Sequence, residues 1–210
     1  MNNFFTKVSP NIGLFSAIFY AVSTIIANVV SNKIFLIPWL AWGTDGGTII
    51  YPLTFTLRDM MHKSLGKQVS RQVVIFTGLM NILLALIVYL VFALPSDPSW
   101  TNQEAYKLIL LSVPRIIAGS IIAQVISELI DTEIFSKLYK IGDVKAVLVS
   151  NFISLIVDSV IFTLIAFYGS LPTSILLQII YTNITLKFIL ALISSPLIRV
   201  SKRTVPESEI

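Results

Sequence analysis

Apolar residues fall along this chain in blocks of about 20, with few charges inside each, the length an α-helix needs to cross a hydrocarbon core of ~30 Å. Six such blocks lie near residues 12–30, 47–61, 72–94, 106–130, 146–168 and 173–198. The pattern predicts an all-α membrane protein, a six-transmembrane-helix bundle that forms one integral membrane domain over residues 1–210 and ends in a short tail, 199–210. The first block is longer than a signal-peptide core and runs into Ser31-Asn32-Lys33, not a small-residue cleavage site, so it reads as a retained span. The second block departs from the pattern. Its apolar core, 49–57, contains Pro52 and follows the Pro- and Gly-interrupted stretch 35–47. Irregular backbone at membrane depth is tolerated only where protein or a water-filled cavity surrounds it. The region is therefore either a broken or short helix lining a site or an interfacial loop anchored by Trp39 and Trp42.

Composition fits this picture. The 210 residues are 55% hydrophobic and 12% charged, with a mean hydropathy of +0.85, where soluble domains carry about 25% charged residues. The net charge of +4 does not point to nucleic acid, because the basic residues stand singly at the ends of apolar blocks. Their placement sets topology instead. Arg58, Lys63, Lys67 and Arg71 follow the second block; Lys137, Lys140 and Lys145 follow the fourth; Arg199, Lys202 and Arg203 follow the sixth. All three groups fall on one side of a six-span model, and Lys7 agrees. By the positive-inside rule both termini are cytoplasmic, in a cytoplasmic (inner) membrane, and residues 95–105 and 169–172 are outside. With no cysteine, disulfides and thiolate metal sites are excluded. No cofactor or metal is expected.

Within the blocks, ionisable residues are the candidates for chemistry, since a charge at the bilayer centre costs about 2.5–3.5 kcal/mol even on a lenient scale. Asp158, Lys187 and Arg115 lie deep in the fifth, sixth and fourth blocks, whereas Glu128 and Asp131 lie toward the cytoplasmic end of the fourth. Asn151, Ser154, Asp158 and Phe162 share one helix face, as do Asn183, Lys187 and Ser194. Asp158 either faces a polar cavity or pairs structurally with Lys187 or Arg115. Asn28, Ser31, Asn32, Asn81, Gln124 and Thr54 read as interhelical hydrogen-bonding residues. A pattern I-S-x-x-x-D-[ST]-x-I-F occurs at 126–135 and again at 153–162. It places a hydroxyl, a carboxylate and a ring in a row on two spans of opposite direction, either as an inverted repeat does or by chance similarity between apolar segments. Enzyme signatures are sparse. Gly66-Lys67 lacks the rest of a P-loop, and the single histidine, His62, stands beside Lys63 in a basic stretch.

An ordered set of residues carries a resemblance. Ser31-Asn32, then Pro52-x-x-Phe55-x-x-x-Asp59 with Gly66 and Arg71, begin it. Arg115-Ile116-x-Ala118-x-Ser120 leads to Ser127-x-x-x-Asp131-x-x-x-Phe135, and Asn151-x-x-Ser154-x-x-x-Asp158-x-x-x-Phe162 is followed by Lys187. Together they resemble the queuosine-precursor transporters, also called the vitamin uptake transporter family, from about residue 28 to 198. His62-Lys63-Ser64 and Glu128 depart from the family pattern, which usually has an acidic residue before the glycine and a glutamine before the fourth-span aspartate. The resemblance implies six spans and import of a 7-deazaguanine-type base such as preQ0, preQ1 or queuine.

The residues suit that substrate. A guanine-like edge presents N–H donors that one carboxylate accepts together, and a flat heterocycle stacks on aromatic rings. Asp158 with Phe162, or Asp131 with Phe135, offers the combination, with Tyr51 and Phe55 closing it from the second span. The expected substrate-binding set is Asp158, Phe162, Lys187, Arg115, Asp131, Ser127, Asn151, Ser154, Phe55 and Asn32. Partners are the small-molecule substrate and the bilayer, with a homo-oligomer or an energising module left open. A substrate-capture subunit of an ATP-driven uptake complex, or an intramembrane enzyme, remain as alternatives.

Overall fold

The computed structural model describes residues 11–38, 41–138 and 143–194, without certain side chains in the helices, among them Asp59, His62, Lys63, Glu128, Asp131, Phe135 and Asn151. Lys7, Trp39, Lys140 and the expected tail 199–210 lie outside the described residues.

Helix α1, Ile12–Val30, starts where Asn11 accepts a hydrogen bond from the Leu14 N–H at 3.2 Å, an ordinary N-cap. The chain then turns into an antiparallel hairpin, β1 (Ile34–Ile37) and β2 (Trp42–Asp45), with Ile34 opposite Asp45. A 3₁₀ turn, Gly46–Ile49, leads into α2, Tyr51–Leu65. The stretch read as a broken or short second span or as an interfacial loop is thus strand pair, 3₁₀ turn and short helix in succession, so the all-α expectation holds except for this hairpin. Pro52 fits the first turn of α2, where its missing N–H has no intrahelical partner to lose.

The basic connection expected between the second and third blocks shrinks to a single residue. Gly66, at φ 84°, separates α2 from α3 (Lys67–Ala93), so Arg58 and Lys63 are in α2 and Lys67 and Arg71 in α3. That φ favours glycine, which has no Cβ to clash there. The fourth block also differs from expectation. Residues 106–110 belong to a short surface helix, α4 (Gln103–Leu110), none of whose residues is buried. Helix α5 begins at Val113, with Pro114 in its first turn, and runs to Leu138. Helices α6 (Asp143–Phe167) and α7 (Thr173–Ser194) follow.

Among the described residues, four segments are long and apolar enough to cross a membrane: Ile12–Val30, Gln68–Ala93, Gln103–Ser127 and Thr173–Leu190. Phe152–Phe167 is a shorter apolar stretch. Large apolar side chains such as Phe76, Leu86 and Leu90 of α3 are exposed, the arrangement of a lipid-facing surface. Inside, α5 and α6 pack most extensively. Gly119 permits their approach, since a Cβ there would lie 3.3 Å from the Phe162 carbonyl oxygen. Ile116, Ala166, Phe167, Leu176 and Ile179 form an apolar core beneath the hairpin end of the bundle. The two copies of the I-S-x-x-x-D pattern therefore lie on the two most closely packed helices.

Candidate functional site

A cavity of about 330 Å³, counting the part open to solvent, is enclosed by α1, the 3₁₀ turn, α2, α5, α6 and α7. Two carboxylates and one ammonium face it. Lys187 Nζ donates to Asp158 Oδ2 at 2.6 Å and lies 3.4 Å from Ser159 Oγ. Both charged residues are buried, Asp158 at 4% and Lys187 at 3% exposure. Charges removed from water this far persist only when paired. The Lys187 ammonium also sits 5.0 Å from the centre of the Tyr51 ring, within cation–π range. Phe162 contributes a second aromatic surface and meets Phe167 edge to face at 5.8 Å between ring centres.

The other carboxylate, Asp45, lies in the irregular stretch 35–47 before the second apolar block. The hairpin folds it into the bundle, at 1% exposure. Its Oδ1 receives Ser31 Oγ at 2.8 Å and the Gly47 N–H at 3.0 Å; its Oδ2 receives Thr48 Oγ1 at 2.9 Å and Asn183 Nδ2 at 3.2 Å. The hairpin docks on α7 as well, where Gln178 Oε1 accepts from the Gly43 N–H at 2.9 Å. Backbone as irregular as this would be costly in hydrocarbon, but here its polar groups are paired within protein. Sequence reasoning missed Asp45 and Thr48 and read Ser31 only as interhelical glue. The available signal was an acid set among Gly and Thr in the region 35–47 already marked as irregular.

Of the expected substrate-binding residues, Asp158, Phe162 and Lys187 come together at the cavity. Arg115 does not. It is exposed at the far end of α6, where Nε donates to the Ile165 carbonyl at 2.6 Å, Nη1 to Ser170 Oγ at 3.0 Å and Nη2 to the Tyr168 carbonyl. A guanidinium satisfies the last carbonyls of a helix well, and that is its setting here. Asn32 is also turned to other partners: its Nδ2 donates to the Val29 carbonyl at 2.9 Å and its Oδ1 accepts from Ser112 Oγ, tying the end of α1 to the start of α5. Ser127 donates to the Gln124 carbonyl of its own helix at 3.0 Å. Phe55 packs edge to face on Tyr51 at 5.6 Å and under Arg58, one layer away from the cavity lining. Ser154 is half-buried on α6 outside that lining. The side chains of Asp131 and Asn151 lie outside the described residues. Asn28 serves both as glue, donating to Asn81 Oδ1 at 2.8 Å, and as cavity wall.

A buried ion pair, two aromatic surfaces and a second carboxylate inside an apolar helical bundle are the furniture of a small-molecule site in a membrane. Comparison with known families agrees: residues 45–201 match the family described as "Putative vitamin uptake transporter". The chain belongs to that family. A Bacillus subtilis (strain 168) protein named "Probable queuosine precursor transporter" is 28% identical over 169 residues, covering 78% of this chain and 73% of that protein. No solved structure matches. The vitamin uptake transporter match begins at Asp45, so the hairpin's buried carboxylate falls inside the family region along with Asp158 and Lys187.

Proposed function

We propose that this chain imports a 7-deazaguanine-type queuosine precursor across the cytoplasmic membrane and holds it in the Asp158–Lys187 cavity. The observation that carries the reading is the buried ion pair in a cavity that the Tyr51 and Phe162 rings also line. A guanine-like edge offers adjacent N–H donors next to a carbonyl oxygen. Asp158 accepts the donors and Lys187 donates to the carbonyl, so the pair opens around the base without leaving either charge unmatched. The name of the Bacillus subtilis relative supports the same substrate class. In this reading the second crossing is the 3₁₀ turn with α2, six spans result, and both termini are cytoplasmic, which puts the hairpin on the outer face.

The test is uptake of labelled 7-deazaguanine bases by cells that lack their own importer, with and without this chain. Uptake that depends on the chain and is lost in Asp158→Asn is expected. Equal uptake in cells with and without the chain rejects the reading.

A further inference from the structure

Asp45 faces the same cavity but takes no part in holding the base as described, and its surroundings are short of protons. Ser31 has one hydroxyl proton for two acceptors, the Ala27 carbonyl at 2.8 Å and Asp45 Oδ1 at 2.8 Å. Thr48 touches Asp45 Oδ2 at 2.9 Å, Thr44 Oγ1 at 3.0 Å and Asn183 Oδ1. If Thr44 donates to Thr48, the single Thr48 proton still has two acceptors. Turning the Asn183 amide over does not help, because its oxygen would then face Asp45 Oδ2 in place of the donor now 3.2 Å away.

One proton on Asp45 Oδ2 completes the Thr48 contacts. The carboxyl O–H donates to Thr48 Oγ1, Thr48 donates to Asn183 Oδ1, and Thr44 donates to Thr48, which uses the one proton and both lone pairs of that hydroxyl. Oδ2 still accepts from Asn183 Nδ2, and Oδ1 still accepts from the Gly47 N–H. Among the described residues no cation forms an ion pair with Asp45. At the end of α1 its partner is Ser31, which does not titrate. Lys33 of the hairpin contributes its carbonyl to the Gly46 N–H. Tyr51 of α2, Asp158 of α6 and Lys187 of α7 line the same cavity, the last two engaged with each other.

We propose that Asp45 binds the proton whose movement drives uptake. This rests on the transporter reading above, and it assigns the energy source to a second carboxylate. Binding the proton completes the contact between the 3₁₀ turn and Asn183 of α7; releasing it leaves Asp45 Oδ2 or Asn183 Oδ1 facing Thr48 with no proton between them. Asn183 is one turn from Lys187. Proton exchange at Asp45 therefore acts on the helix that carries half of the ligand-binding pair.

Infrared difference spectra of the full chain in lipid vesicles across a pH series test the proton site directly. The carbonyl band of a neutral carboxyl group is expected to fade as pH rises, to be absent in Asp45→Asn, to move without vanishing in Asp45→Glu and to persist in Asp158→Asn. A wild type without the band, or a band unchanged in Asp45→Asn, overturns the proposal whatever the transport assay gives. In the same vesicles, the ratio of labelled 7-deazaguanine uptake with an inward proton gradient to uptake without one should be several-fold in the wild type and fall to unity in Asp45→Asn. A ratio of unity in a wild type that exchanges the base, or accumulation driven by a sodium gradient alone, also overturns it. A wild type that exchanges no such base counts against the substrate reading, and the infrared band still decides Asp45.

Discussion

Asn183 and Lys187, one turn apart on α7, hold that helix to two different carboxylates: Asn183 Nδ2 reaches Asp45 Oδ2 at 3.2 Å, and Lys187 Nζ reaches Asp158 Oδ2 at 2.6 Å. The first contact joins α7 to the hairpin segment and the second joins it to α6. A single helix thus spans both polar centres of the cavity, and a shift of α7 alters both together.

The Asp158–Lys187 pair ties α6 to α7 and is proposed above to hold the ligand, and the two roles separate in a double-variant experiment. Asp158→Asn or Lys187→Met alone leaves one buried charge uncompensated and should lower stability by about 3–5 kcal/mol. Asp158→Asn combined with Lys187→Met removes both charges, so the melting temperature should recover. Uptake should stay lost, because the side chain of Asp158→Asn meets the donor edge of the base with one acceptor and one opposing donor in place of two acceptors. Recovery of uptake in the double variant would reduce the pair to a packing device.

Arg115→Gln should behave differently from any cavity variant. Its three contacts close the end of α6 and the turn after it, so thermal stability should fall by about 1–3 kcal/mol. The affinity for ligand, measured on the folded fraction, should stay within twofold of the wild type. A tenfold loss of affinity at unchanged stability would return Arg115 to the site.

The residues legible in the sequence were those whose chemistry contradicts their surroundings. Asp158 and Lys187 stand out because each is an isolated charge in an apolar run long enough to cross a bilayer. Asp45 did not, because it lies within the Pro- and Gly-interrupted stretch 35–47, one of whose two readings is an interfacial loop, where an acid costs little. Whether such a stretch returns into the bundle depends on contacts distant in sequence, here with Ser31, Gln178 and Asn183. Arg115 misled for the opposite reason: its position in the fourth apolar block suggested depth, but α5 starts only at Val113, so Arg115 lies in the first turn of its helix. Block length alone did not reveal the break between α4, which ends at Leu110, and α5.

Gly47 carries a prediction independent of charge. A Cβ on this residue would lie 2.1 Å from Ser31 Oγ and 2.9 Å from the Ala27 carbonyl oxygen. The hydroxyl can rotate away only by leaving Asp45, and the carbonyl is fixed in α1. Gly47→Ala should therefore cost about 1–3 kcal/mol by overpacking and reduce uptake more than expression. Gly78→Ala is the control, since nothing lies within 4 Å of a Cβ there; the two variants melting together would show that the 3₁₀ turn is free to move off α1.

Sidedness can be read from single cysteines, because the chain has none of its own. Gln68 and Ser99 are both exposed, near opposite ends of α3. Gln68 stands beside Gly66, at the end where the start of α1 meets α2: a Cβ on Gly13 would touch Leu65 at 2.6 Å. That end also carries Lys67 and Arg71, as the positive-inside rule requires of a cytoplasmic face. Ser99 lies in the loop before α4, where its N–H at 2.8 Å and its hydroxyl at 2.5 Å donate to Asp97 Oδ1 and hold that carboxyl below its ordinary pKa, a charged turn suited to water. In intact cells an impermeant thiol reagent should label Ser99→Cys and leave Gln68→Cys unmodified until the membrane is opened. The reverse pattern would invert the bundle and put the hairpin and Asp45 on the cytoplasmic side, opposite to the orientation proposed above.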